Sequence, residues 1–376
     1  MKKLLYVSFE NAENRASGVN KKISGHLKAF SGCGYDTTLA ATYNDAIAYR
    51  NSDGIFHEIK TGKSSRVALC EWVALNCKGY SACYIRFQFF CPYVLKMVKA
   101  LKKNNVTVIM EIPTYPYEYE LKKQGVKGIP KLICDRAFRY RCAKYIDSFS
   151  APLYSDDIYK KHCIEIRNGI DVGNVVPKKP SGNDDTIRLL AVAMMAPWHG
   201  YQRMIEGINK YVKSGGTRKV ELHLVGEGAA TPMYRRLAEE YGLCDSVIIH
   251  GKLFGNSLDE MYDLCDIGVG SLGLPSKQLP RTNTLKVLEY MAKGLPVICE
   301  ESEISIDKNS KYRLEVPSDS DPIDVNKVID FFDSVYEGGR ATVIDSIRSE
   351  CAEKCSVQKG ISGVIDFFEK RCGNET

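Results

Sequence analysis

The stretch Arg281-Thr282-Asn283-Thr284-Leu285-Lys286-Val287-Leu288-Glu289-Tyr290-Met291-Ala292-Lys293-Gly294-Leu295-Pro296-Val297-Ile298 constrains the fold more than any other part of the chain. Leu285, Leu288, Met291 and Ala292 recur at helical spacing, and Thr282 or Asn283 can cap the start. Gly294 stands where a left-handed residue ends a helix, and Pro296 opens a short apolar strand. The stretch reads as loop, helix, turn, strand, which is the working unit of an α/β fold. On the helix Lys286 and Glu289 are three residues apart and share a face, with Lys286 in the first turn beside unsatisfied N–H groups and the positive end of the macrodipole. A cation with open amides suits a diphosphate, and a carboxylate one turn further suits a pair of ribose hydroxyls. The alternative for the same two residues is a solvated surface pair worth roughly a few tenths of a kcal/mol.

The rest of the chain repeats this rhythm. Lys3–Phe9 is expected as a strand, Lys21–Phe30 as a helix and Tyr35–Ala40 as a strand, with Ser17-Gly18-Val19 in the first turn. Further strands are expected at Ile55–Ile59, Ser81–Phe87, Val106–Glu111 and Ile146–Ser150, with helices at Ser64–Asn76, Tyr93–Asn104 and Lys131–Tyr145 and a short helix before Cys163. Pro177–Asp185 is linker by composition, and the alternation restarts at Ile187–Ala193 and continues through Val220–Val225, Val247–Gly251 and Asp266–Ser271. After Ile298 it weakens into helices at Val328–Tyr336, Thr342–Lys354 and Gln358–Arg371. At 376 residues, two α/β domains are expected.

Bulk numbers exclude several classes. An apolar share of 44% and a charged share of 26% are those of a globular protein. No run approaches the roughly 18 apolar residues that span a bilayer, and the apolar run after Met1-Lys2-Lys3 ends at Glu10 without a cleavage pattern. The net charge of +6 is moderate and comes without the aromatic and basic interleaving of a nucleic-acid module. The fourteen cysteines include no C-x-x-C pair, which favours free thiols in a reducing compartment, hence a cytoplasmic protein. Asp156-Asp157 and Asp184-Asp185 read as solvated carboxylates rather than a metal site.

The segment Lys286–Ile298 resembles the signature "K-x-x-E-Y-M-A-x-G-x-P-V-I" of retaining glycosyltransferases with the GT-B fold, of the family 4 type. Other stretches carry the same resemblance: Asn168-Gly169-Ile170-Asp171 resembles the family's hinge, Val225-Gly226-Glu227-Gly228 its glycine turn under the nucleotide, and Glu111-Ile112-Pro113-Thr114-Tyr115-Pro116-Tyr117-Glu118-Tyr119-Glu120 a segment of bacterial polysaccharide-assembly members. The resemblance implies two Rossmann-like domains facing across a cleft: residues 1–166 binding acceptor, 167–350 binding nucleotide sugar, and a terminal segment 351–376 packing back toward the first domain.

It also implies roles. Lys286, Glu289 and Arg203 are expected as catalytic residues; Gly226, Glu227, Gly228, His250, Arg281, Asn283, Thr284 and His199 as further donor contacts; Gly18, Glu111, Tyr115, Tyr117 and Glu120 on the acceptor side. The expected reaction is metal-independent transfer from a nucleotide-diphosphate sugar, UDP-linked ahead of GDP-linked, to a saccharide or lipid-linked saccharide. Peripheral contact with the inner face of the cell membrane would run through the basic helix Lys131–Tyr145. The chain departs from the family at three places: Met194 and His199 occupy the positions of two diphosphate cations, and Arg281 that of the first Glu of "E-x7-E". Arg203 and Lys286 supplying the missing charge is one reading of this. A nucleotide-sugar epimerase or hydrolase, a sugar-binding protein and a catalytically silent partner subunit are the others.

Overall fold

The computed structural model describes residues 2–13, 18–51, 54, 56–123, 125–180, 185–273 and 281–372. Two compact units emerge: the chain through Arg167 together with the segment from Val357, and Asn168–Ser356.

In the first unit the chain runs β1 (Lys2–Asn11), α1 (Gly18–Gly32), β2 (Tyr35–Tyr43), β3 (Ala46–Arg50), β4 (Phe56–Lys60), α2 (Ser65–Asn76) and β5 (Ala82–Arg86). It continues through α3 (Pro92–Lys103), β6 (Thr107–Glu111), α4 (Glu118–Lys123), α5 (Gly128–Ala143), β7 (Ser148–Pro152) and β8 (Cys163–Ile166). The strands form one sheet in the order β4-β3-β2-β1-β5-β6-β7-β8. All neighbours are parallel except β2–β3 and β3–β4. The central strands are apolar on both faces: Leu4, Leu5, Tyr6 and Val7 are all fully buried, as helices on both sides of a parallel sheet require.

The second unit runs β9 (Thr186–Val192), α6 (Gln202–Lys213), β10 (Lys219–Val225), α7 (Thr231–Glu240), β11 (Val247–Gly251) and α8 (Asn256–Leu264). Then come β12 (Ile267–Val269), α9 (Leu285–Lys293), β13 (Val297–Glu300), β14 (Arg313–Val316), α10 (Val325–Tyr336) and α11 (Arg340–Lys354). Its sheet, β11-β10-β9-β12-β13-β14, is parallel throughout. From β9 the chain first adds strands on one side and then returns to add them on the other, so the order reverses between β9 and β12. Ligands of open α/β sheets bind outside the carboxyl ends of strands at such a reversal. After this unit, α12 (Val357–Gly360) and α13 (Ser362–Cys372) belong to the first unit. There Phe368 packs its ring 6.1 Å from Phe30 and 6.5 Å from Tyr35, in a cluster with Leu4, Tyr6 and Ile164.

The strands β3, β8 and β14 were not expected, and the short helix before Cys163 is replaced by turns and the isolated bridges Ala151–Tyr154 and Ile158–Lys161. The cap of α9 is Thr284 rather than Thr282 or Asn283. Its C-terminal Gly294 is left-handed, with φ 92°, and an added Cβ would meet Ile344 Cγ2 at 2.6 Å.

Candidate functional site

At the carboxyl ends of β9, β10 and β11 lies a cavity of about 830 Å³. Its floor is backbone. Gly226, at φ 121°, lies so close to β9 that an added Cβ would stand 1.8 Å from Ala193 O, and one on Gly228 would stand 2.4 Å from Met195 O. Only glycine fits either place, so the two residues bring the exits of β9 and β10 together and leave peptide groups lining the hollow. Gly226 N donates to Gly251 O (2.7 Å), Ala230 N to Met195 O (2.9 Å) and Gly228 N to Thr231 Oγ1 (3.0 Å). Glu227, Arg235 and Lys252 contribute charge to the wall. Met194 and Phe254 also line it, 75% and 78% exposed, which is unusual for side chains that gain roughly 2 kcal/mol on burial. Such surfaces suit a flat ring. Arg235 and Phe254 carry no motif that singles them out in the sequence, whereas Lys252 follows His250 in the stretch expected near the base.

On the other side of the reversal, β12 ends toward Ser271, and the chain re-enters at Arg281 to build α9. Thr282 pairs with Glu303 in a parallel bridge, and Thr284 directs both N–H and hydroxyl at the Glu303 carboxylate, the hydroxyl at 2.6 Å. Glu303 is 2% exposed and also accepts from Ser305 N (2.9 Å) and Ser305 Oγ (2.5 Å). Thr284 spends its hydroxyl there, and no side chain caps the first-turn amides of α9. Lys286 stands in that turn, half-buried, its Nζ 3.2 Å from Tyr201 Oη and 3.3 Å from Ser271 Oγ, over the Tyr201 ring at 5.6 Å. Burial raises the Tyr201 phenol well above its ordinary pKa, so it stays neutral. Glu289 is exposed one turn later. Glu303 and Tyr201, which fix this corner, were not among the expected site residues: Glu303 lies in no periodic or motif-bearing stretch, and Tyr201, beside His199 in the stretch aligned on Gly200, carries no charge to mark it.

Other expected donor contacts have structural partners. Arg203, expected to grip phosphate, is 2% exposed and spends its guanidinium inside the unit. It donates to Asp321 O (2.7 Å), Leu272 O (2.8 Å), Pro317 O (3.2 Å) and Glu300 Oε1 (3.4 Å), and to Asp319. It ties together the exits of β12 and β14. His199 accepts from Ala196 N through Nδ1 (3.0 Å) and stacks on Tyr201 at 5.7 Å. His250 stacks on His223 with Nε2 3.0 Å from Nδ1, and His223 Nε2 reaches Glu221 at 3.3 Å. Neither histidine lines the cavity. Asn283 holds Asn168: its side-chain oxygen accepts from Asn168 N, and its carbonyl from Asn168 Nδ2 at 2.7 Å. Arg281 is exposed at the loop into α9.

In the first unit, Glu111 ends β6 fully enclosed. Arg86 Nη1 lies 2.6 Å and Lys22 Nζ 3.3 Å from its Oε1, with His26 Nδ1 3.9 Å from Oε2. Expected to meet an acceptor, it instead binds these inward cations. They hold its pKa at about 2 against the cost of burial. Tyr117 is equally internal, its hydroxyl 3.1 Å from Asp135 Oδ1 and 2.7 Å from Tyr159 Oη, while Tyr115 packs on Tyr154 at 4.7 Å. Gly18 opens α1; Ser17 lies outside the described residues, as does the side chain of Glu120 within α4.

Burial lowers the pKa of His26, beside Tyr6 (3.2 Å), Tyr84 and Glu111, to about 3. Below pH 6.5 the unfolded chain takes up this proton and the folded one does not, so stability falls with pH across 6.5 to 3, by about 2 kcal/mol at pH 5. Denaturation midpoints at pH 7 and pH 5 should differ accordingly, and His26→Asn should flatten the difference.

Among the described residues no group of three His, Cys, Asp or Glu is placed to hold a metal, and no helix is long and apolar enough to cross a membrane. Residues 186–322, within the second unit, match the family model of glycosyl transferases group 1. No curated protein matches the chain. Among solved structures, a glycosyltransferase from Rickettsia africae ESF-5 is 14% identical with a TM-score of 0.60 over 100% of this chain and 99% of that one. The catalytic domain of starch synthase IV from Arabidopsis thaliana, bound to ADP and acarbose, is 9% identical with a TM-score of 0.63 over 99% and 100%. Anabaena HepE in complex with UDP is 11% identical with a TM-score of 0.60 over 98% and 100%. At these identities the likeness is one of fold: parallel-sheet Rossmann-like units of the GT-B type.

Proposed function

We propose that this chain is a retaining glycosyltransferase of the family 4 type, moving a hexose from a nucleotide-diphosphate sugar to a hydroxyl of a saccharide or lipid-linked saccharide. The observation that carries the proposal is the cavity at the carboxyl ends of β9, β10 and β11, beside the strand-order reversal and inside the stretch matched by the group 1 model. In this reading the second unit binds the donor and the first the acceptor. The base stacks near Met194 and Phe254, Glu289 accepts from the ribose hydroxyls, and the backbone at Gly226, Glu227 and Gly228 approaches the nucleotide. Lys286 and the open amides of α9 hold the diphosphate. As the anomeric C–O bond breaks, its electron pair passes to the diphosphate; the acceptor oxygen attacks from the same face, and its proton goes to the departing phosphate oxygen. Positioned positive charge at the leaving group is the chief requirement, and in this reading Lys286 and the first turn of α9 supply it.

The neighbours bound to UDP and ADP support a nucleoside diphosphate, and we favour UDP. We place the chain in the cytoplasm, at the inner face of the membrane and on a bacterial polysaccharide route; its free cysteines fit a reducing compartment. A silent partner subunit is the second reading, favoured by one observation: Arg203 is committed to structure, which leaves Lys286 to do more of the work.

The test is a thermal-shift titration with UDP, GDP, CDP and ADP. The donor nucleotide at a hundred times its dissociation constant adds about 2.7 kcal/mol of stability. Glu289→Ala should cost about tenfold in affinity through the lost ribose contacts. No shift with any of the four would sink the proposal. A shift without donor turnover, in single-turnover assays with and without saccharide acceptors, would favour the silent subunit, and turnover without acceptor a hydrolase or epimerase.

A further inference from the structure

Thr284 has the attributes of a capping residue at the start of α9. Its backbone, at φ −93° and ψ 134°, is the extended conformation of an N-cap, and threonine is among the residue types that favour the place. A hydroxyl there ordinarily turns over the first turn and accepts from the N–H of the second or third helical residue, here Lys286 or Val287. Thr284 does not do this. Its hydroxyl donates instead to Glu303 Oε2 at 2.6 Å, and no side chain caps the helix.

Glu303 is fixed in place to hold that hydroxyl. It lies buried in the turn after β13, and both carboxylate oxygens have partners. Oε1 accepts from Ser305 N at 2.9 Å and Ser305 Oγ at 2.5 Å, while Thr284 N lies 3.2 Å from both oxygens. Ser305 Oγ is held in turn by Asn283 Nδ2 at 2.6 Å, and Arg313 Nη1 donates to the Glu303 carbonyl at 2.6 Å. In a capping box the N-cap N–H is met by a glutamate three residues into the same helix. Val287 stands at that position here, and Glu303 meets the N–H from outside the helix, taking the hydroxyl as well. A second hydroxyl marks the same corner. Thr282, bridged to Glu303, is 6% exposed, and its Oγ1 has no partner among the described residues. Buried hydroxyls are ordinarily paired, so this one points to a polar ligand at the entrance to α9.

From these contacts we infer that Glu303 is a positioning residue for the leaving diphosphate: it holds the Thr284 hydroxyl off the first turn of α9, so that the amides there bind the anion rather than their own cap. The inference rests on the proposed transfer and deepens it, for it says what keeps a helix start that carries a capping residue available to a ligand. Without Glu303, rotation about one side-chain bond brings the hydroxyl onto the N–H of Lys286 or Val287, and the diphosphate must compete with it.

The experiment measures UDP affinity by calorimetry and hydrogen exchange of the α9 amides by mass spectrometry, on the full chain and its variants. Glu303→Ala frees the hydroxyl and should weaken UDP about tenfold, while exchange in the first turn slows about fivefold as the cap forms. Adding Thr284→Val removes the hydroxyl, so the double variant should return to within about threefold of the parent in UDP affinity and should exchange like it. Thr284→Asn leaves Glu303 and its packing in place: the amide nitrogen can donate to Glu303 while the side-chain oxygen caps the helix, so UDP should again weaken about tenfold. This variant decides the matter if Glu303→Ala does not fold. A double variant that binds no tighter than Glu303→Ala would make Glu303 a structural residue only and overturn the inference, as would Thr284→Asn binding UDP like the parent. A parent that binds no UDP defeats the donor reading instead. Amide exchange needs no ligand and then judges Glu303 alone: slowing in Glu303→Ala that Thr284→Val reverses upholds its hold on the hydroxyl, and unchanged exchange sinks it.

Discussion

Arg203→Ala is expected to destabilise the second unit by about 3–5 kcal/mol, the range for removing one partner from a buried charge network. The substitution takes the nearest cation from the fully buried Glu300 side chain, leaving it Ser318 Oγ at 3.4 Å, and takes a donor from the carbonyls of Leu272, Pro317 and Asp321. Each unpaired buried acceptor costs about 1–3 kcal/mol before relaxation, so several together reach the upper part of that range. For a unit spanning 168–356 this lowers the melting temperature on the order of 10 °C. The first unit should unfold as before, so the two-unit chain melts in separated steps and a single two-state fit fails. Arg203→Lys recovers only part of the loss, because one ammonium cannot reach the several directions that the planar guanidinium serves. If Arg203→Ala instead melts with the parent and has lost its nucleotide shift, the arginine is a phosphate ligand after all and the clamp is wrong.

Arg203 also marks where sequence reasoning reached its limit. It stands in the first turn of α6, whose Met204, Ile205 and Ile208 are buried. Its direction was not legible, because the partners that turn it inward come from Leu272, Glu300 and Pro317–Asp321, loops brought together only by the sheet order. The same limit explains Glu111. A carboxylate ending a strand at the C-terminal edge reads as a ligand contact, and only the packing of α1, which brings Lys22 and His26 against β6, shows it enclosed. The cap of α9 moved to Thr284 because Glu303, beyond the next strand, binds that residue. What local chemistry decides was read well: the apolar period of α9, the left-handed turn at Gly294 and the strand after Pro296. The glycine turn Gly226–Gly228 was legible for the same reason, since the need for a missing Cβ is written in the residue type. The strand β14 was not, with only four residues and a buried Arg313 whose guanidinium binds Glu303 O and Ile306 O.

Lys286→Ala is expected to lower kcat/KM for sugar transfer by about 10² to 10³, the loss found when one preorganised donor to a developing negative charge is removed. The position of the ammonium sets the size of this loss. The group is held by neutral hydroxyls, those of Tyr201 and Ser271, at 3.2 and 3.3 Å. The two hydroxyls orient the ammonium in the first turn of α9, whereas the guanidinium of Arg203 is turned to carbonyls and carboxylates inside the unit. Beside it, the first turn of α9 carries no side-chain cap, so cation and amides add at one spot. The stability cost should be near 1 kcal/mol, since the substitution leaves one buried phenol short of a partner and removes a cation–π contact. Tyr201→Phe is the comparison. It keeps the charge but releases the ammonium from its anchor, so kcat should fall less than in Lys286→Ala while nucleotide binding stays within about threefold. A Lys286→Ala enzyme that retained transfer within about tenfold of the parent and lost several kcal/mol of stability would reverse the assignment. The lysine would then be the anchor of Tyr201, and the amides of α9 alone would carry the leaving group.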